Sequence, residues 1–302
     1  MAANITQRKF DYFDMTQRNV GILRLEEQSL LKEKCVAVIG LGGIGALQAI
    51  LACKVGFGKV IAIDFDSYDV SNLNRQELAD INVIGMKKAD AAAELLPLYN
   101  PFAEIISHNV MIEGVEQCKE LIKDADIVTV GVDNLGTRII CQRAARELGI
   151  PCVTAGPMGW KTMCTTYMPD GLSYEDVICP EIIGKEITEE VKKSLDQGEK
   201  VFFGVSDGFT PDRAIEFLKG GQMRAIGFAT NFAASYAINQ IVKIIIKRGK
   251  VNIFPEMFTC DMFSGKEWNL NERGQIAGKI GKLMADGNRD EALKLFKDQL
   301  TD

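Results

Sequence analysis

Four glycines close to the start of the sequence are of a type and spacing that could bind phosphate groups. Gly40, Gly42, Gly43 and Gly45 follow the apolar run CVAVI, and Gly45 begins the segment GALQAILACKVG, whose apolar residues have helical spacing. Glycines at such a turn let the backbone approach phosphate oxygens, and the helix N-terminus offers free N–H groups. The pattern predicts a nucleotide site, and the alternative is a tight turn that binds nothing.

An acidic side chain ends the next strand-like segment, KVIAIDFD. Asp64 lies 19 residues beyond Gly45, which suits a carboxylate that accepts hydrogen bonds from ribose hydroxyls. We count the neighbouring Asp66 among the nucleotide-binding candidates. Up to this point the sequence is also typical of an NAD-dependent oxidoreductase.

Polar and basic side chains follow in the segment NLNRQ and at the start of the next predicted helix. Arg and Lys are strong phosphate partners, whereas a dinucleotide pyrophosphate is bound mainly by backbone N–H groups. A carboxylate after the strand DIVTVGV lies where open parallel sheets bind ligands, and it could hold magnesium. Each residue alone is typical of a solvated surface, but together they favour a triphosphate. These residues are Asn72, Asn74, Arg75, Gln76, Lys88 and Asp133.

The elements that must position these side chains alternate between strand and helix over residues 35–156. Such repeats predict an α/β fold, with a mostly parallel, Rossmann-like sheet flanked by helices. Beyond residue 156 the pattern favours antiparallel strands, and a buried helix from about residue 224 to 248. We expect an N-terminal helical arm at 1–34 and a nucleotide-binding half at 35–156. A C-terminal half at 157–271 would contain a crossover or lid excursion at 172–221, and a helical tail would follow at 272–302.

Composition narrows the class of protein. The chain has 302 residues, 47% hydrophobic and 25% charged, with a formal net charge of -6, so a basic nucleic-acid-binding face is not favoured. The N-terminus has no apolar core of signal-peptide length, and the longest apolar segment is interrupted by polar residues. We therefore expect a cytoplasmic protein without a membrane span. Eight cysteines form no C-x-x-C pair, which argues against a zinc tetrathiolate, and the single histidine, His108, favours a structural role.

The segments VIGLGGIG, IDFDSYDVSNLNRQ, IGMKKAD and VGVDN, with a following TR, resemble the ThiF/MoeB/HesA family, which is related to ubiquitin-activating enzymes. The similarity runs from about residue 18 to 155 and resumes more loosely after 224. It implies binding of magnesium ATP, adenylation of a carboxylate and release of pyrophosphate. By motif position, the resemblance assigns the glycines to the phosphate loop and Asp64 to the ribose. It assigns Asn72, Arg75 and Lys88, with Gln76 beside them, to the triphosphate, and Asp133 to magnesium.

The resemblance also implies partners. In this family an N-terminal Arg of one subunit reaches the γ-phosphate bound by the other, and Arg18 is the matching candidate for a homodimer; a surface charge is the alternative. The acyl substrate would be the C-terminal glycine of a ubiquitin-like or sulfur-carrier protein. A small molecule, a peptide or a modified nucleoside on tRNA stays open. The absence of C-x-x-C pairs indicates a zinc-free, stand-alone member.

Three further points stay open at the level of sequence. Cys179, in the excursion, is a candidate for a thioester with the acyl group, against the alternative of a thiol packed under a loop. The segment GPMGWKTM, residues 156–163, is expected to shape the acyl pocket. Besides the adenylyltransferase, an NAD-dependent oxidoreductase and a nucleotide-binding partner subunit without catalysis are the other hypotheses.

Overall fold

A computed structural model of the protein describes residues 10–192, 195 and 224–269. The predicted tail at 272–302 and residues 196–221 of the predicted excursion lie outside the described residues. Within the described part, no helix combines the length and the apolar character needed to cross a membrane.

The centre of the fold is an eight-stranded mixed sheet with the order β3-β2-β1-β4-β5-β6-β7-β8. The pairs from β3 to β5 are parallel and those from β5 to β8 are antiparallel. This confirms the predicted parallel sheet with antiparallel strands in the C-terminal half. The strands are β1 Cys35–Ile39, β2 Lys59–Ile63, β3 Glu104–His108, β4 Ile127–Val130, β5 Cys152–Met158, β6 Lys161–Tyr167, β7 Phe258–Asp261 and β8 Lys266–Asn269.

Helices cover both faces of the sheet, and we number those whose bounds are established. They are α1 Tyr12–Thr16, α2 Leu25–Glu33, α3 Gly43–Val55, α4 Lys88–Tyr99, α5 Val115–Ile122, α6 Leu135–Glu147, α7 Tyr174–Ile178 and α8 Gly227–Ile246. Short 3-10 turns cover Val70–Asn72 and Pro180–Ile182. The predicted buried helix near the C-terminal strands is α8.

Two apolar cores result from the alternation of side chains along the strands. In β1, Val36 and Val38 point to the core shared with α3, α4 and α8, whereas Ala37 and Ile39 point to the core shared with α5 and α6. Every residue of β1 is buried. A strand that is apolar on both faces is what a central parallel strand requires when helices cover both sides.

The order of strands reverses at β1, and this reversal opens a crevice. From β1 the chain builds β2 and β3 on one side, then returns to place β4 on the other. The loops after β1 and β4 therefore diverge, which is where open parallel sheets bind ligands. The ladder continues into both loops, since Gly40 N donates to Ile63 O and Gly131 N donates to Ile39 O, each at 2.8 Å.

Candidate nucleotide site

A cleft of about 410 Å³ lies at the carboxyl ends of β1, β2, β4 and β5. Most of the candidate residues predicted from the sequence line it, although they come from five separate segments of the chain. Those in the lining are Gly40, Gly42, Gly43, Asp64, Asp66, Arg75, Gln76, Lys88 and Asp133.

The glycine loop needs glycine for two separate reasons. Gly40 has φ +87, and a Cβ there would lie 2.9 Å from Val132 Cγ1, so both backbone conformation and space select glycine. Gly45 does not line the cleft but lies directly behind Gly40. A Cβ on Gly45 would lie 1.6 Å from Gly40 O, so this close approach also requires glycine. Gly42 caps α3 without a side-chain hydrogen bond. The first-turn amides of α3 are thus left for a ligand at the cleft, where the helix dipole favours an anion.

Asp64 holds the glycine loop in place. It is buried, and its Oδ2 accepts from Leu41 N at 2.6 Å while its Oδ1 accepts from Asp66 N at 2.8 Å. Each carboxylate oxygen has a second lone pair, so contact with a ligand hydroxyl is compatible with both bonds. The Tyr68 hydroxyl donates to Leu41 O at 3.3 Å, and burial, followed by the Asp64 charge, raises the pKa of that phenol.

Two cations enter the cleft from one face of the sheet. Lys88 begins α4, its side chain is only 8% exposed, and its Nζ lies 3.3 Å from Asp66 Oδ2. Arg75 Nη1 donates to Ser71 O at 3.0 Å and to Asn74 Oδ1 at 2.8 Å, and it has no carboxylate partner among the described residues. The Arg75 charge is therefore held in place by neutral groups and stays uncompensated.

The N-terminus of α8 closes the same face. A Cβ on Gly227 would lie 2.8 Å from Asn74 O, and one on Gly43 would lie 2.6 Å from Thr230 Cγ2. Gln76 is buried between these elements and lines the cleft, and its Oε1 has no hydrogen-bond partner among the described residues. The pattern within residues 35–156 could not indicate the α8 contact, because the two segments are more than 150 residues apart.

The opposite wall comes from the loops after β3 and β4. Asp133 is exposed at the cleft and, within the described residues, makes no hydrogen bond or ion pair. Asn134 caps α6 by accepting from Thr137 N at 2.8 Å, and Arg138 Nε donates to Val132 O at 2.7 Å. Sequence reasoning missed Asn134, although an Asn between a strand and a helical pattern is a recognisable N-cap signal. Further lining residues not predicted are Val110, Met111, Ile112, Thr137, Arg138, Glu189 and Lys192.

Four other predicted residues do not line the cleft. Asn72 Oδ1 accepts from Asp69 N at 3.0 Å and Asn74 Oδ1 accepts from Arg75, so both amides stabilise their own turn. Arg18 is exposed between α1 and α2, outside the cleft of its own chain. Cys179 is 4% exposed, in the apolar core beside α6. Burial, with Glu181 and Glu175 nearby, raises the pKa of its thiol to about 12, so this conformation does not provide a thiolate.

The cysteines and the possible metal-binding side chains of the described residues form no disulfide and no cluster of three or more metal ligands. All eight cysteines are free and buried. The described residues hold no cluster of three or more His, Cys, Asp or Glu side chains suited to a metal ion. His108 lies outside the cleft lining, and its backbone O accepts from Asp64 N at 3.1 Å.

Comparison with known proteins identifies relatives of this chain. It is similar to a probable molybdopterin-synthase adenylyltransferase of Porphyra purpurea, with 34% identity over 126 residues, 42% of this chain and 33% of the relative. It is also similar to ubiquitin-like modifier-activating enzyme 5 of Drosophila ananassae, with 32% identity over 143 residues, 44% of this chain and 36% of the relative. The match thus spans about a third of the length of these curated relatives.

Solved structures show the same fold. PaaA superposes with a TM-score of 0.65 at 18% identity, covering 89% of this chain and 76% of that one. E. coli MccB with AMPCPP and MccA superposes with a TM-score of 0.64 at 19% identity, covering 86% and 73%. The ThiF family model matches residues 16–275, which include every element of the cleft. The chain therefore belongs to the ThiF family.

Proposed function

We propose that this protein is an ATP-dependent adenylyltransferase that activates a carboxylate as an acyl-adenylate and releases pyrophosphate. One observation carries the proposal. The uncapped N-terminus of α3 and the cations of Arg75 and Lys88 converge on a single cleft at the switch point of the sheet. A triphosphate needs this density of positive charge, because it must be neutralised where it breaks.

The residues of the cleft suit the parts of ATP. The glycine loop faces the phosphates, Asp64 the ribose, and Val110, Met111 and Ile112 give an apolar wall for the base. A substrate carboxylate oxygen attacks the α-phosphorus as the bond to the bridging oxygen of pyrophosphate breaks. The attacking group is already an anion, so no general base is required. Arg75 and Lys88 would hold the negative charge that builds on the departing pyrophosphate.

Asp133 fits a magnesium ligand. Its carboxylate is exposed in the cleft and is not engaged by any described side chain, and magnesium prefers oxygen ligands from one or two carboxylates together with substrate phosphates. The ion would add positive charge at the phosphates. Asp133 would fix its position relative to the glycine loop.

The same proposal extends to partners. We propose a homodimer in which the exposed Arg18 of one subunit reaches the γ-phosphate bound by the other. We propose the C-terminal glycine of a ubiquitin-like or sulfur-carrier protein as the acyl substrate, a choice supported by relatives named for molybdopterin synthase and ubiquitin-like modifiers. A small-molecule, peptide or tRNA-nucleoside carboxylate is the alternative. Eight free cysteines suit the reducing cytoplasm that the sequence predicts.

The other two hypotheses are less well supported. An NAD-dependent oxidoreductase would not need Arg75 and Lys88 in the cleft, and family membership also favours adenylation. A partner subunit without catalysis would have no use for Arg75, Lys88 and Asp133 facing the same space.

The test is exchange of labelled pyrophosphate into ATP, with titration calorimetry of magnesium ATP as a companion that needs no acyl substrate. Adjacent lysines provide a matched pair. Lys88→Met should weaken ATP binding at least tenfold, as expected for loss of a charge-assisted contact worth about 1.5–3 kcal/mol. Lys87→Met should not, because Lys87 is exposed, bonds Phe65 O and does not line the cleft. Binding of NAD without binding of magnesium ATP would contradict the proposal.

A further inference from the structure

The segment after the 3-10 turn at Pro180–Ile182 brings a further cation, Lys192, to the cleft, in addition to Arg75, Lys88 and Arg138. Ile187 and Leu195 pack into the core beside α6, and Lys192 between them lines the cleft. Its approach depends on a missing side chain, since a Cβ on Gly136 in the first turn of α6 would lie 2.4 Å from Lys192 Cγ. Gly136 thus forms a notch in which the Lys192 side chain lies.

The ammonium of Lys192 is mostly shielded from solvent and already bonded to a carboxylate. Its side chain is 13% exposed, and its Nζ lies 2.6 Å from Glu189 Oε1. The Glu189 side chain is 78% exposed, so the anion of this pair lies at the open side of the cleft. Because the carboxylate of the pair is largely in solvent, its attraction to the ammonium is weakened by water, and a second carboxylate can replace it at small cost.

Lys192 lies on the other face of the sheet from Arg75 and Lys88. Those two belong to the face covered by α3, α4 and α8, whereas Lys192 lies over α6. In an in-line displacement, the nucleophile enters opposite the leaving group. If pyrophosphate departs toward Arg75 and Lys88, the substrate carboxylate arrives from the side of Lys192.

We propose that Lys192 binds the carboxylate of the acyl substrate through the oxygen that does not attack, and that Glu189 holds the ammonium until the substrate replaces it. This rests on the proposed adenylyltransferase function and adds to it a recognition residue for the acyl group. In the adenylate, the same oxygen is the acyl carbonyl oxygen. Lys192 therefore contacts substrate and product alike, and no proton changes place.

The test uses a stable mimic of a glycyl-adenylate, 5′-O-(N-glycylsulfamoyl)adenosine, together with AMP, which lacks the acyl group. The acylsulfamate is an anion whose charge is shared with the acyl oxygen. The dissociation constant of AMP divided by that of the mimic measures how much the acyl group contributes to binding, and a larger ratio means a larger contribution. Lys192→Met should lower this ratio about tenfold, as expected for loss of a charge-assisted hydrogen bond. AMP affinity should stay within about twofold, which also reports an intact fold.

The variant at the partner residue gives the opposite sign. Glu189→Gln removes the competing carboxylate and should raise the ratio by about two- to fivefold. Lys192→Arg should restore part of the loss. If the pair served only to hold its own segment, both variants would weaken the mimic alike, and that result would overturn the inference. An equal loss of AMP and mimic affinity in Lys192→Met would overturn it too, by assigning Lys192 to the phosphate.

A matched control is Lys123→Met. Lys123 also pairs with the residue three positions earlier, Glu120, at 2.9 Å, but it directly follows the last residue of α5 and lies outside the cleft lining. The ratio of the AMP and mimic dissociation constants measured for Lys123→Met should equal that of the unmodified protein. Failure of the unmodified protein to bind either AMP or ATP would instead refute the adenylyltransferase proposal, and the inference with it.

Discussion

Replacement of Gly45 by alanine tests whether the glycine loop positions the amides of α3. The added Cβ would lie 1.6 Å from Gly40 O and 2.8 Å from Gly40 C. An ordinary C···O contact is about 3.3 Å, so loop and helix must separate by about 1.7 Å. The loop cannot easily yield, because Gly40 N donates to Ile63 O at 2.8 Å and Leu41 N to Asp64 at 2.6 Å. Over-packing of this kind costs about 1–3 kcal/mol.

The separation is larger than hydrogen bonds tolerate, so the α3 amides would no longer reach the phosphates. Loss of one such charge-assisted bond costs about 1.5–3 kcal/mol, which raises the dissociation constant of magnesium ATP at least tenfold. Urea unfolding and titration calorimetry on Gly45→Ala measure both effects. The control is Gly114→Ala, since residue 114 has ordinary φ and no atom within 4 Å of an added Cβ. A Gly45→Ala protein that unfolds and binds ATP like the unmodified chain would refute the reasoning.

Three other predictions concern ion pairs and thiols. Arg143→Met should lower the free energy of unfolding, measured by urea titration, by about 3 kcal/mol, because it leaves the nearly buried Glu175 carboxylate without its guanidinium partner. The double variant Arg143→Met/Glu175→Met should recover much of this loss, since no buried charge is then left unpaired. The Arg248 guanidinium, with a backbone bond from Arg24, lowers the pKa of Glu27. The resulting stability is present above the ordinary glutamate pKa and disappears as pH falls through the lowered value. Glu27→Gln should therefore flatten the fall in stability below about pH 5, and an unchanged acid limb would contradict this. Cys179, with its pKa raised to about 12, should resist iodoacetamide in the folded protein at pH 7.5, and Cys179→Ala should leave pyrophosphate exchange unchanged; rapid labelling by mass spectrometry would disprove it.

The parts of the fold and cleft that could be predicted from sequence are those encoded locally. The glycine loop, Asp64 and Lys88 all lie at ends of strands or starts of helices, and the carboxyl ends of parallel strands meet at one edge. The hairpin of β7 and β8 is also encoded locally, because Ser264 and Gly265 form the turn between the two strands and Gly265 adopts φ +69, which glycine tolerates.

Other parts depend on contacts between distant segments. Thr230 enters the cleft because α8 packs on α3, and Lys192 enters it because Ile187 and Leu195 pack in the core beside α6. No local spacing in the sequence encodes either contact. Asn72 and Asn74 were predicted from the sequence but do not line the cleft. Their types suggest phosphate binding, yet short amides beside a turn satisfy the backbone or a neighbour first.

The two backbone bonds to the buried Asp64 carboxylate have a kinetic consequence. They fix Leu41 and Asp66 before any nucleotide arrives, so the loop enters the encounter already ordered. The entropy of arranging it belongs to folding and not to binding, and pre-organisation of this kind strengthens association. We expect ATP capture to follow single-phase kinetics that depend linearly on nucleotide concentration, without a saturating isomerisation step. Asp64→Asn keeps one acceptor oxygen but places an NH₂ against an amide, and should introduce that slow step.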